Sequence, residues 1–120
     1  MELDGRLETL REYMLTKPGA VEEFPFGPEV MVIRVVGKIF GLIAWEENPL
    51  RISLKCDPER AVELRELYPG IIPGYHLNKQ HWNTVIMDTS VTDALVRELM
   101  DHSYDLVVST LSKAKRADLE

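Results

Sequence analysis

The chain has 120 residues, of which 45% are hydrophobic and 28% are charged, and its formal net charge is −6 at pH 7. These values are typical of one globular domain and exclude a disordered or low-complexity chain. The acidic balance disfavours non-specific binding of nucleic acid by the whole surface.

The sequence also predicts the cellular compartment in which the protein is found. The apolar runs are short, and Arg34 interrupts VMVIRVV well before membrane-spanning length. The acidic start, MELDGRLETL, lacks the basic end and apolar run of a secretory signal. Cys56 is the only cysteine, so no intrachain disulfide can form, which suits a reducing compartment. We therefore expect a cytoplasmic protein of one domain, residues 1–120, that has no contact with a membrane.

The first predicted element is a helix that ends at Pro18 and Gly19. Its apolar face has side chains three or four residues apart, at Leu3, Leu7, Leu10 and Met14. An acidic stripe runs along the same helix at Asp4, Glu8 and Glu12. We interpret the stripe as a solvated face, because carboxylates without convergent partners rarely bind a metal specifically.

Three strands are predicted next, after the turn-rich segment EEFPFGPE. They are VMVIRVV, KIFGLIAW and LRISLK, which are rich in β-branched and aromatic residues. Gly37 and Lys38 are predicted to form the centre of a type II′ hairpin turn, and residues 46–49 to form a second turn. The pattern indicates an antiparallel meander.

The second half of the chain alternates helices with short strands. Asp57 is a good N-cap and Pro58 a good first residue, so they predict a helix that stops before Pro69. One or two strands follow, including TVIMD, and Ser90 is predicted to begin a long last helix, after which the tail KAKRADLE frays. The predicted class is α+β: an antiparallel sheet with helices packed on one face, in the order helix, three strands, helix, one or two strands, helix.

One segment, GYHLNKQHWNT at residues 74–84, is unusually rich in polar and aromatic side chains. It lies mostly within residues 51–82, which carry a charge of +1, whereas residues 1–50 carry −4 and residues 83–120 carry −3. Together with Lys55, the segment offers lysines for phosphates, histidines and Asn78 for hydrogen bonds, and Trp82 for stacking. The same mixture suits a protein interface.

A structural interpretation of this segment stays open beside the functional one. Asn78 could cap a single turn, Trp82 could enter the core, and His76 could hydrogen-bond a neighbouring carbonyl. Lys79 and His81 fit this interpretation less well, because their side chains gain less from burial.

No catalytic, metal or cofactor site is predicted. Cys56 lies where a helix N-terminus could lower its pKa, but a lone cysteine at a strand end is usually a small core residue. The chain has no GxSxG elbow and no Walker or GxGxxG loop. The spacing of His76 and His81 does not match a zincin helix or a zinc knuckle. We expect a protein without enzymatic activity, bound metal or cofactor.

Several motifs together resemble the MmcQ/YjbR family of small bacterial proteins. The main one is HLNKQHWNTV, preceded by PG and followed by Asp88 at a strand end. Further similarity lies in KPGA (17–20), FPFG (24–27), SLKCDP (53–58) and DHSYDLV (101–107), so the resemblance extends from residue 17 to residue 111.

The resemblance implies an α+β domain with a frataxin-like or secretion-chaperone-like arrangement, and members of the family are commonly labelled DNA-binding. The family's polar signature falls on Lys55, His76, Asn78, Lys79, His81, Trp82 and Thr84, with Ser103 and Tyr104 on the last helix. The frataxin likeness would make the acidic stripe an iron ridge, but a shared fold does not carry a site with it.

Two functions follow from these patterns. The leading interpretation is a nucleic-acid-binding module that contacts its partner through Lys55 and residues 76–84. The alternative is a protein-interaction or adaptor module, including one that self-associates, which uses the same patch or an exposed strand edge.

Overall fold

The computed structural model describes residues 5–74, 77–87 and 90–119. Within them the chain forms four helices: α1 (Gly5–Leu15), α2 (Pro58–Leu67), α3 (Asp93–Ser109) and α4 (Lys113–Ala117). It also forms six strands: β1 (Ala20–Glu23), β2 (Met31–Val35), β3 (Lys38–Ala44), β4 (Arg51–Lys55), β5 (Ile71–Pro73) and β6 (Trp82–Ile86). Among these residues no helix is both long and apolar enough to cross a bilayer.

The strands form one antiparallel sheet in the order β1-β2-β3-β4-β6-β5. Helix α3 lies across β3 and β4, α1 lies beside β1, and α2 lies beside β5 and β6. The predicted α+β class, with helices on one face of an antiparallel sheet, is confirmed.

Two neighbouring rows of register partners define the two faces of the sheet. One row belongs to or packs on the hydrophobic core, and we call its side the covered face; it consists of Met31, Ile43, Ile52, Val85 and Ile71. The next row points the other way, because side chains alternate along a strand. We call that side the open face; its row is Glu23, Val32, Leu42, Ser53, Thr84 and Ile72.

A β-bulge in β3 is tied to α3 by a serine. Ile33 pairs with Gly41 and Arg34 with Ile39, which leaves Phe40 as the extra residue. The Ser103 hydroxyl donates to the Phe40 carbonyl at 2.5 Å and accepts from the Lys55 N–H at 2.9 Å. The bulge leaves the Phe40 carbonyl and the Lys55 N–H without a partner in the strand ladder. The fully buried Ser103 hydroxyl supplies the hydrogen-bond partner that each of these groups needs.

The first half of the sheet differs from the prediction in two places. Four strands precede α2 rather than three, because AVEE pairs with β2 as an edge strand; its sequence has no strong apolar alternation to reveal it. The two-residue hairpin turn consists of Val36 and Gly37, since Val35 pairs with Lys38. Both have positive φ, at 47° and 80°, which fits a type I′ turn and not the predicted type II′ turn at Gly37 and Lys38.

The helix starts were predicted with mixed success. Asp57 does cap α2, since its carboxylate accepts from the Arg60 N–H at 3.3 Å. The prediction that Ser90 begins the last helix is wrong: α3 begins at Asp93 behind the N-cap Thr92. The Ser90 hydroxyl instead accepts from the Gly70 N–H at 3.1 Å, a contact between distant parts of the chain. The tail predicted to fray contains α4, capped by Ser112.

Candidate functional site on the open face

The turn at residues 77–81 is built by Asn78. Its side-chain oxygen accepts from the Gln80 N–H at 2.9 Å and the His81 N–H at 3.3 Å, and its carbonyl accepts from the Trp82 N–H at 3.0 Å. Arg65 on α2 donates to the Lys79 carbonyl at 3.2 Å and so ties the turn to a helix. Asn78 therefore has the structural role that the sequence left open, while the Lys79 and His81 side chains are exposed.

Lys55 and Trp82 are register partners on β4 and β6. Each lies two residues along its strand from an open-face residue, Ser53 or Thr84, so both belong to the open face. Trp82 is half-buried and lies outside the core, which excludes the interpretation that it is a core residue. We call Lys55, Lys79, His81 and Trp82 the basic end of the open face.

The two remaining predicted residues are His76 and Thr84. His76, together with Asp88 of the family motif, lies outside the residues that the structure describes. Thr84 is buried in the middle of the face, where its hydroxyl and that of Ser53 lie 2.8 Å apart in a hydrogen bond.

Cationic side chains on different strands of the open face differ in whether they form an ion pair. Arg34, on β2, pairs with Glu23 at 2.7 Å. Lys55, Lys79 and Arg51 form no ion pair with any part of the chain that the structure describes. These cations along β4 and the 77–81 turn are therefore available to an external anion.

Beside the basic end, the open face contains a cavity of about 470 Å³. Its apolar walls come from two loops and β3: Phe26, Val30, Leu42, Ala44 and Leu77. Its polar lining comes from the strands β4 and β6 and the turn before them: Glu47, Arg51, Ser53 and Thr84. The Trp45 indole N–H donates to the Pro28 carbonyl at 2.8 Å and holds the wall loop against the sheet.

Sequence reasoning missed this cavity and Arg51. A signal was present in β4, where Arg51, Ser53 and Lys55 alternate with two apolar residues and so predict one polar face. The FPFG motif supplies Phe26 of the opposite wall, but nothing local in the sequence connects a loop at residues 24–30 with a strand at residue 51.

Ser103 and Tyr104, which the resemblance associates with the polar signature, lie on the covered face instead. Ser103 serves the bulge, and Tyr104 packs edge-on against Phe40 with ring centroids 5.3 Å apart. The Tyr104 hydroxyl donates to the Pro18 carbonyl at 2.6 Å. Their role in this structure is to attach α3 to the sheet and to the loop after α1.

A charged clamp joins the same elements. Asp101 accepts a hydrogen bond from Tyr13 at 2.6 Å and forms an ion pair with Lys17. Burial alone would raise the pKa of Asp101, but the hydrogen bonds from Lys17 and Tyr13 outweigh it and lower the pKa. The motifs KPGA and DHSYDLV thus meet in a structural contact.

Among the described residues considered for catalysis, Cys56 and His102 lie in structural environments. Cys56 is 4% exposed, and burial raises the pKa of its thiol, which disfavours the thiolate needed for nucleophilic attack. His102 uses its Nε2 to accept from the Asp57 N–H at 3.2 Å. In the described parts of the chain, no three His, Cys, Asp or Glu residues are grouped so that they could hold a metal ion.

Comparison with known proteins identifies the fold and its motifs. A family model described as YjbR matches residues 15–106 of the chain. The chain belongs to the YjbR family. The matched YjbR segment contains the bulge, the cavity, the basic end and the Lys17–Asp101 ion pair of the clamp, whereas Tyr13 lies before it and α4 lies beyond it.

Relatives and solved structures agree with this assignment. The chain is 40% identical over 113 residues to the uncharacterised protein YbdF of Escherichia coli O157:H7, covering 94% of this chain and 93% of the relative. It is 36% identical over 110 residues to the uncharacterised protein YjbR of Escherichia coli K12, covering 92% and 93%. The crystal structure of Deinococcus radiodurans protein DR2400, with a DUF419 domain, superimposes with a TM-score of 0.88 at 43% identity, covering 94% of this chain and 86% of that one.

Proposed function

We propose that this YjbR protein is a non-enzymatic binding module that contacts nucleic acid, single strands in particular, through the basic end of its open face. The observation that carries the proposal is the placement of Trp82 beside Lys55, next to a turn that exposes Lys79 and His81. Sheet faces with aromatic and basic side chains bind single strands by stacking bases and contacting phosphates.

Electrostatics limit how this binding would work. The chain has a net charge of −6, so attraction must come from the local cluster and not from the whole protein. If about three cations contact phosphates, affinity for a single strand falls roughly 15- to 20-fold between 50 and 200 mM salt. The single cysteine, buried in the core, supports a reducing compartment such as the cytoplasm as the place of action.

The test is an amide-resolved NMR titration of the full chain with oligo-dT and, separately, with a short DNA duplex, each at low and physiological salt. We expect shifts at residues 77–82 and 55 that are larger with oligo-dT and fade as salt rises. Lys79→Glu should weaken binding at least tenfold without changing the rest of the spectrum. The matched control is Lys113→Glu on α4, which changes the net charge equally and should leave binding close to that of the unmodified protein.

Absence of shifts at low salt would contradict the proposal, as would equal weakening by Lys79→Glu and Lys113→Glu. In the second case the charge of the whole protein, and not the basic end, would control binding.

A second candidate, a protein-interaction module, is supported by exposed apolar side chains on the edge strand β1 and in the loop that follows it. Phe26 is 64% exposed, Phe24 is 44% exposed, and Val21 lies exposed on the edge strand β1. An exposed strand edge can pair with another chain. Sedimentation at two salt concentrations tests it: salt-insensitive self-association that Val21→Lys abolishes would support this function, and a monomer at all concentrations would exclude a self-associating form.

A further inference from the structure

The cavity on the open face combines apolar walls with one unsatisfied cation. Its volume, about 470 Å³, lies within the range of small-molecule sites in proteins. Phe26, Leu42 and Ala44 line it with apolar surface. These apolar walls can accommodate the apolar body of a ligand.

Arg51 gives the cavity a specific chemistry. Its Nε is buried and has no hydrogen-bond partner in the described residues, and its guanidinium forms no ion pair there. The positive charge of this guanidinium is not neutralised by an ion pair in the described residues, and an anionic ligand in the cavity would neutralise it. A guanidinium fork matches the two oxygens of a carboxylate.

Glu47 limits the charge of the ligand. It lines the same cavity as Arg51, yet the two side chains do not form an ion pair within 4.0 Å. The Glu47 carboxylate would repel a dianionic ligand, such as a phosphate monoester, more strongly than a ligand with a single negative charge. The hydroxyl pair of Ser53 and Thr84 adds polar surface beside Arg51 on β4 and β6.

We propose that this cavity binds a small monocarboxylate with an apolar body, its carboxylate on Arg51 and its apolar part between Phe26 and Leu42. This site is distinct from the proposed nucleic-acid contact, which depends on Lys79, His81 and Trp82. It would add a small-molecule ligand to a protein whose proposed partner is a polymer.

The probes are octanoate, octan-1-ol and octyl phosphate, titrated into the full-length labelled protein and followed by amide shifts at residues 42, 44 and 53. Octanoate should bind saturably and at least tenfold more tightly than octan-1-ol, and more tightly than octyl phosphate. Arg51→Met keeps a side chain similar to the aliphatic stem of arginine and removes the charged guanidinium. This variant should weaken octanoate binding about tenfold while changing octan-1-ol binding less than threefold.

Two controls make the experiment decisive. Arg97→Met removes the same charge from α3 and should leave octanoate binding unchanged, and so should Lys79→Glu, which separates this site from the nucleic-acid contact. Ala44→Phe fills the cavity and should weaken octanoate and octan-1-ol binding together.

The proposal is overturned if octanoate shows no saturable binding, or if it binds equally to the unmodified protein and to Arg51→Met. It is also overturned if octyl phosphate binds as tightly as octanoate, because the limit set by Glu47 would then be wrong. If Arg51→Met does not fold, the octanoate-to-octanol ratio in the unmodified protein and the effect of Ala44→Phe still decide the question.

Discussion

The two faces of the sheet use polar side chains in different ways. On the covered face, Ser103 serves two backbone groups, Tyr104 donates to the Pro18 carbonyl, and Asn83 donates to the Ala61 carbonyl at 3.3 Å, while the buried Asn83 Oδ1 has no hydrogen-bond partner in the described residues. On the open face, Arg51 and Lys55 have no ion-pair partner among the described residues. Polar groups of the covered face thus join segments of the backbone, whereas these two cations of the open face remain available to an anionic partner.

This difference also separates two kinds of motif in the sequence of this chain. KPGA and DHSYDLV meet on the covered side and hold α1, α3 and the sheet together. The LNKQHW segment and FPFG border the open face, where they contribute an exposed turn and one wall of a cavity. The motifs of the covered side stabilise the fold, and the motifs at the open face contribute residues to the proposed binding sites.

The largest effect should come from removing the Ser103 hydroxyl. Ser103→Ala leaves the Phe40 carbonyl and the Lys55 N–H unpaired in a fully buried place, at a cost of about 2–4 kcal/mol in the free energy of unfolding. Urea denaturation followed by circular dichroism measures it. Ser109→Ala, on the exposed side of the same helix, is the matched control and should cost less than about 0.5 kcal/mol. A loss below about 1 kcal/mol for Ser103→Ala would mean that the bulge does not depend on the hydroxyl.

A smaller effect is expected at the Asp101 clamp, which is partly open to solvent. Asp101→Asn should cost about 0.5–1.5 kcal/mol at neutral pH, because the ion pair to Lys17 is lost while the amide oxygen can still accept from Tyr13. The pKa of Asp101 is lowered in the folded protein, so its stabilisation is present above the unfolded pKa of about 3.9 and is lost as pH falls through the folded value.

Denaturation at pH 7 and at pH 3 tests the sign of this effect. The difference between the unmodified protein and Asp101→Asn should shrink at the lower pH. Asp105→Asn, an exposed position on the same helix, should show little difference at either pH. A difference that stays constant with pH would contradict the role of the Asp101 charge.

His102 provides a second pH-dependent contact on the covered side. Burial, aided by the Arg60 charge, lowers the pKa of His102, and its Nε2 must stay unprotonated to accept from the Asp57 N–H. Below about pH 6.5 the unfolded chain binds a proton that the folded chain resists, so stability should fall as pH drops from 7 to 5.5. His102→Gln removes the titrating group and should flatten that part of the stability curve. An identical slope in both proteins would assign the dependence to other groups.

The smallest effect is expected on the open face. Lys55→Met keeps the aliphatic stem and should change the free energy of unfolding by less than about 0.5 kcal/mol, since the ammonium group has no ion-pair partner in the described structure. Affinity for oligo-dT should nevertheless fall. Thermal denaturation and the nucleic-acid titration on the same sample measure both, and a large loss of stability would remove the contrast between the two faces.

Features that depend on near neighbours in the chain could be predicted from the sequence alone. The α+β class followed from the periodicity of apolar residues, and the start of α2 followed from Asp57 and Pro58, because a cap involves residues at most a few positions apart. The resemblance to the YjbR family was also recognised from short motifs, and the polar turn was correctly predicted to precede a strand. Of the seven predicted binding residues, Lys55 and Trp82 are register partners on one face, and Lys79 and His81 are exposed on the turn next to them.

Features that depend on pairing between distant residues could be recognised only in the three-dimensional fold. AVEE becomes a strand because β2 lies beside it, and Ser90 does not cap α3 because its hydroxyl is used by Gly70. Ser103 acts as a backbone bridge only because a bulge in β3 lies above it, and Arg51 lines a cavity only because a loop 25 residues earlier in the chain, at Phe26, closes over the sheet. Register and the shape of the open face arise from contacts between residues far apart in the sequence, and local patterns carry no information about which distant partner is chosen.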